Sequence, residues 1–284
     1  MFLFQANFGS VPSGVELEKI RDTLDEYLDS LKRNGQICGD FLHSVTEGKA
    51  VARPDAVSES FHSIYGLKDL KILSDLFQQK PIWIPMSDAM PDAFPPTSDS
   101  SSLYLDPEYS DGSSPLRCGD TGEPLPTYLL PIDYNERERL YFWSRESNRM
   151  VGIEFSSGDL EIPAYEQLAS PGSDLAKDGR RLAALVEGAL NIPVYYYLIR
   201  YYGRGEEEPK RRGADCGGNW SVKLPKEDHA FWRFPFRCDG CRLVSHLADA
   251  EAEGEDELSL AKIGEFPDGP FDHTGQFPKS SVGE

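Results

Sequence analysis

Leu17, Ile20, Leu24, Tyr27, Leu28 and Leu31 recur at the three-and-four spacing of a single helix face. Ser13 with Glu16 three residues on marks a helix start, and Lys32, Arg33 and Gly35 mark its end. Ile37, Phe41, His43 and Val45 then keep a period of two, the pattern of a half-buried strand. A second amphipathic helix is predicted from Leu67 to Gln79, with Leu67, Leu70, Leu73, Leu76 and Phe77 on one face and Pro81 as its stop. The apolar opening from Met1 to Phe8 reads as a buried first strand. Strand, helix, strand, helix is the order of a helix-covered sheet.

From Pro81 to Pro115 proline, serine and aspartate are dense, which predicts an irregular connection. The pattern resumes near Leu116 with a proline-bracketed extended piece, Pro124 to Pro131, and a helix around Glu136 to Arg145. Val151 to Ile162 reads as a hairpin turning at Ser157-Gly158-Asp159. Ser173 caps a helix whose stripe is Leu175, Leu182, Leu185, Val186 and Leu190, ended by Asn191 and Pro193. The aromatic run from Val194 to Tyr202 is a central strand; with only Arg200 interleaved, sheet packing explains its tyrosines better than base stacking does. Gly203 to Lys210, with Glu206, Glu207 and Glu208, reads as a solvated linker.

The resulting division is an α+β unit over 1–96, a connection over 97–115, a central α+β unit over 116–204, a ribbon-like module over 205–247 and an acidic, largely disordered tail over 248–284. The expected fold class is therefore α+β, a helix-covered mixed sheet with a C-terminal zinc-ribbon-like β-hairpin and a flexible acidic tail. At 284 residues with 39% hydrophobic content the chain can bury substantial cores. No run approaches the eighteen or so apolar residues of a membrane span, and no basic leader precedes the first strand, so a cytoplasmic protein without a membrane partner is expected. Five cysteines, an odd number, fit reduced thiols.

Charge changes the picture in one place. The net charge is −19, which disfavours a generally nucleic-acid-binding surface. Arg204 to His246 nevertheless carries nine basic against seven acidic residues, whereas Leu247 to Glu284 carries two against ten.

That same basic stretch holds Cys216, Cys238 and Cys241. A zinc ribbon holds a tetrahedral ion between two C-x2-C turns on hairpin strands. Here the second turn, Cys238-Asp239-Gly240-Cys241, is complete, and Gly213 stands where the first turn would have its other cysteine. Two readings follow. Either the three thiolates bind zinc with a fourth ligand from Cys118, Asp215, His229, His246 or water, or the turns persist without metal on hydrophobic packing around Trp220, Phe234 and Phe236.

The Tyr195 to Arg200 strand, the Cys216-Gly217-Gly218-Asn219-Trp220 turn and the run from Phe236 to Ser245 together resemble an uncharacterised bacterial family. Its members are described as zinc-ribbon-containing and as candidates for nucleic-acid binding. The resemblance implies metal-ligand positions at Cys216, Cys238 and Cys241. Gly213 departs from the family's first knuckle.

No catalytic constellation is recognisable: the five histidines are scattered and no serine stands in a nucleophile elbow, so a non-enzyme is expected. Two functions remain. In the first, Arg211, Arg212, Lys223, Arg237 and Arg242 contact phosphates and Trp220 stacks on a base. In the second, an acidic interaction or immunity-type protein engages a basic protein partner.

Overall fold

The computed structural model describes residues 3–86, 100–107, 114–156, 158–223 and 233–265. The fold is α+β, with two principal sheets, each covered by helices.

The first unit runs β1 (Phe4–Asn7), α1 (Leu17–Arg33), β2 (Leu42–Ser44), β3 (Lys49–Ala52), α2 (Ile64–Phe77) and β4 (Ile82–Pro85). The sheet order is β2-β3-β1-β4 and every neighbouring pair is antiparallel. That is the split βαβ arrangement of ferredoxin-like folds. Ala6, Ala50 and Ala52 alternate onto the face under the helices, where Phe8, Ile20, Leu24, Leu28, Leu31, Leu73 and Phe77 complete the core. Small alanines on the strands let the helices approach closely, and each fully buried leucine contributes about 1.5–3 kcal/mol. α1 covers the expected stripe, but its first turn is preceded by Glu16 with no side-chain cap, so the Ser13 capping box does not form.

The second unit contains β5 (Leu103–Leu105), β6 (Leu116–Cys118), α3 (Tyr134–Glu154), α4 (Glu161–Ala169), α5 (Asp174–Leu190) and β7 (Val194–Leu198). β9 (Phe236–Cys238) and β10 (Leu243–Ser245) join the same sheet, whose order is β6-β5-β7-β10-β9. β5 and β10 run parallel to β7, and the two edge strands run antiparallel to their neighbours. β7 is thus the central strand, buried along its whole length. Its Val194, Tyr196 and Leu198 enter the core shared with α3 to α5, while Tyr195 and Tyr197 face Phe234, Tyr104 and Val244 on the other side. Ser173 Oγ accepts the amide of Ala176 and starts α5 as its sequence predicts. Gly179 of α5 lies over the Tyr196 and Trp143 rings, where a Cβ would come within 2.3 Å of Tyr196, so the close crossing of helix and strand depends on the missing side chain.

Four sequence expectations are corrected here. The hairpin expected over Val151–Ile162 is the end of α3 and the start of α4. The connection expected over 97–115 supplies β5, a fully buried inner strand. The ribbon-like hairpin shares the central sheet, since β10 is hydrogen-bonded to β7. The linker and tail are ordered in part: β8 (Tyr202–Gly203) pairs with β11 (Ala250–Glu251), a 3-10 turn spans Gly205–Lys210, and α6 (Gly254–Leu260) follows.

A charged network closes the tail onto the sheet. Arg200 Nη1 lies 2.6 Å from Glu208 Oε1, with side-chain exposures of 0% and 3%. Arg211 Nη1 reaches the same carboxylate at 3.2 Å and its Nε lies 2.8 Å from Glu265, which also pairs with Arg204. Arg200 further donates to Ser245 Oγ and the His246 carbonyl, and Arg211 to the carbonyls of Ala261 and Ile263. Burial and the neighbouring Arg211 push Arg200 down to about 10, still cationic at neutrality.

Candidate metal centre

Two turns build the site. In the first, the Gly213 amide donates to the Gly218 carbonyl at 2.6 Å and the Gly217 amide to the Gly213 carbonyl at 2.8 Å. Gly217 adopts φ 65°, a conformation side chains disfavour, so glycine at this position suits the sharp reversal. Arg212 bridges to Asn219 and Ser221 to Phe236, while Arg237 N donates to Trp220 O. The segment carrying Cys216 is therefore laid against β9, which carries Cys238. The second turn reverses β9 into β10; its Cys241 amide donates to Cys238 Sγ at 3.4 Å, and Tyr195 anchors its Asp239 carboxylate at 2.7 Å.

The consequence is convergence of three thiols. Cys216, Cys238 and Cys241 place their sulfurs all within 4.8 Å of one another, and the Cys216 and Cys238 sulfurs are 3.7 Å apart. Tetrahedral zinc with Zn–S bonds near 2.3 Å asks for about 3.8 Å between sulfurs. Cys216 is exposed and the other two are half-buried, so the site opens to solvent on one side. Burial opposes ionisation of Cys216, but the Gly218 amide and the two neighbouring thiols outweigh it and lower its pKa. Burial and the same neighbours push Cys241 up. Cys216 is thus the thiol of the cluster that gives up its proton most readily, and metal binding requires the thiols to be deprotonated. These three residues can hold a metal ion.

The fourth position is marked by Gly213. A Cβ built there would lie 3.1 Å from Cys216 Sγ, adjoining the cluster as a second knuckle cysteine would. Among the described residues no further cysteine, histidine or carboxylate joins the three. Cys118 sits in β6, at the opposite edge of the sheet from β9 and bonded to Ser100 Oγ. Four strand spacings put it roughly 19 Å away, so it does not complete the site. Asp215 is paired with Arg180 at 2.6 Å, and His246 contacts Tyr197 and Asp249. His229 lies outside the described residues.

The other expected contact residues fare unequally. Arg211 is enclosed in the charged network and Trp220 is fully buried, its ring packed on Phe236 at 5.3 Å with the Arg200 guanidinium over both rings. Neither presents itself to a phosphate or a base. Arg237 pairs with Asp239 and Arg242 with Glu187; Arg212 and Lys223 are exposed. Sequence reasoning missed Glu187, whose carboxylate holds Arg242 and the Val194 amide and so ties α5 to the second turn. Its position opposite the apolar stripe of α5 gave no signal for that role.

Among the described residues no helix is long and apolar enough to cross a membrane. Residues 97–199 match a domain of unknown function, DUF2310, and residues 203–250 match another, DUF8594. The thiol cluster falls in the second, and most of the sheet in the first. Two proteins of Haemophilus influenzae, each described only as uncharacterized, are 34% identical over 137 residues, 48% of this chain. The matched stretch spans 66% of one relative and 51% of the other. No solved structure matches the chain. None of these descriptions names a zinc ribbon; together they support similarity to an uncharacterised bacterial family.

Proposed function

We propose that the chain is a binding protein rather than an enzyme, that Cys216, Cys238 and Cys241 hold one zinc ion, and that the acidic surface outside the thiol hairpin engages a basic protein partner. The convergence of three sulfurs within 4.8 Å of one another, with one pair at 3.7 Å, carries the metal reading. When bound, the ion would tie the 213–218 turn to the 238–241 turn. Gly213 leaves the fourth donor to solvent or to a group outside the cluster.

The partner reading rests on charge. A net −19 repels phosphates and attracts a cationic surface. Of the six residues that would have served a nucleic acid, two are enclosed and two are ion-paired, which favours the protein partner. Exposed Arg212 and Lys223 keep a nucleic-acid reading as the second choice.

Cobalt titration of the reduced full chain tests the metal: intense sulfur-to-cobalt absorption, abolished in Cys238→Ser, is expected, and weak octahedral spectra would overturn it. Affinity capture in nuclease-treated lysate, with and without added DNA or RNA, tests the partner. Recovery of one basic protein supports the proposal; recovery of nucleic acid alone contradicts it.

A further inference from the structure

A cleft of about 600 Å³ opens between α5 and the sheet, beside the thiol cluster, with which it shares Cys241. Its floor is apolar: Ala183, Ala184, Gly188, Val194 and the Tyr196 ring. Its walls carry Lys177, Arg180, Arg181 and Arg242 against a single carboxylate, Glu187. Such a combination, an apolar bed with a few converging polar groups, is how small-molecule sites are built.

The cations of the wall point to an anionic occupant, because two of them keep donor capacity. Arg180 bonds Asp215 through one nitrogen, whereas a guanidinium has five N–H donors. Lys177 stands 3.6 Å from an Asp174 carboxylate that is 98% exposed, a pairing that solvent weakens. Arg181 is shared between Asp178 and Glu136, and Arg242 is held by Glu187, so these two shape the wall.

We infer that this cleft binds a small organic anion, an apolar body lying on Ala184 and Gly188 with a carboxylate or phosphate head that meets Arg180 and Lys177. The inference does not rest on the metal: of the cleft's lining only Cys241 and Arg242 lie outside α5 and β7.

Calorimetric titration of the reduced full chain with benzoate, adenosine 5′-monophosphate and inorganic phosphate tests it, with and without zinc. Benzoate or the nucleotide is expected to bind more tightly than inorganic phosphate, the better of the two identifying a carboxylate or a phosphate head. Arg180→Gln removes the charged donor and should weaken binding about 10- to 100-fold, the effect of one hydrogen bond to a charged group. Gly188→Leu should abolish binding, because Gly188 lies within α5 with open space where its Cβ would be, and a larger side chain fills the cleft without a clash. Thermal unfolding of both variants confirms that they are folded. Failure of both organic anions to bind at millimolar concentration overturns the inference, as does binding that both variants leave unchanged.

Discussion

The two polar clusters at opposite ends of β10 are built on contrary principles. At one end Arg200, Arg211, Glu208 and Glu265 are enclosed, and the buried cations are met by carboxylates and carbonyl oxygens. At the other end Cys216, Cys238 and Cys241 converge on solvent-facing turns, and a glycine stands where another ligand would be expected. The first cluster supplies its own counter-charges; the second is incomplete and invites something from outside. The difference teaches that polar residues close in sequence take opposite roles according to whether the chain itself supplies their partners.

The sharpest break of this contrast is Glu208→Ala. It strands Arg200 and Arg211 in a low-dielectric interior, and urea unfolding should show a loss of about 3–5 kcal/mol. Cys238→Ser, by comparison, should abolish metal binding while far-ultraviolet circular dichroism stays native, because Trp220, Phe236 and Leu243 keep the turns on the shared core.

The clusters should also separate with pH. Burial alone would raise the Glu208 pKa, but Arg200 and Arg211 outweigh it and hold it below its ordinary 4.5. A depressed carboxyl contributes stability that is present above its unfolded value and lost as pH falls through the folded one. Unfolding followed from pH 6 downward should therefore show a stability loss beginning near pH 4.5, and Glu208→Gln should flatten that limb.

Restoring the missing ligand sharpens the comparison from the other side. Gly213→Cys should raise zinc affinity by more than ~10-fold in chelator competition, since a direct ligand is worth at least what an outer-sphere partner is. Smallest of all, Arg212→Ala and Lys223→Ala should change stability by no more than about 0.5 kcal/mol, as exposed substitutions do.

How much of this was legible follows the same division between local and distant causes. α5 and β7 could be read because Ser173, the leucine stripe and the run from Val194 carry their own signals. The end of α3 could not. Ser144 and Ser147 occupy buried positions on its packed face and bond their hydroxyls to carbonyls of their own helix, so the hydrophobic period fades while the helix continues. Glu208 reads as part of a solvated run because its partners, Arg200 and Arg211, are brought around it only by the fold. Arg211 and Trp220, candidates for contact on residue type, are enclosed for the same reason. The thiol convergence was legible, because a C-x2-C turn and a lone cysteine on a paired segment fix the geometry through local turns. Cys118 is a candidate fourth ligand on residue type, but sheet order, which no local pattern encodes, sends it to the far edge.

The central claim is that the three thiols hold one zinc ion. Native mass spectrometry of the reduced full chain, purified without added metal and again after one equivalent of zinc, tests it directly. The account predicts a species heavier by one zinc that Cys238→Ser and Cys241→Ser each eliminate. A folded chain that stays metal-free after zinc is supplied, or one that carries the same zinc in both variants, would contradict it.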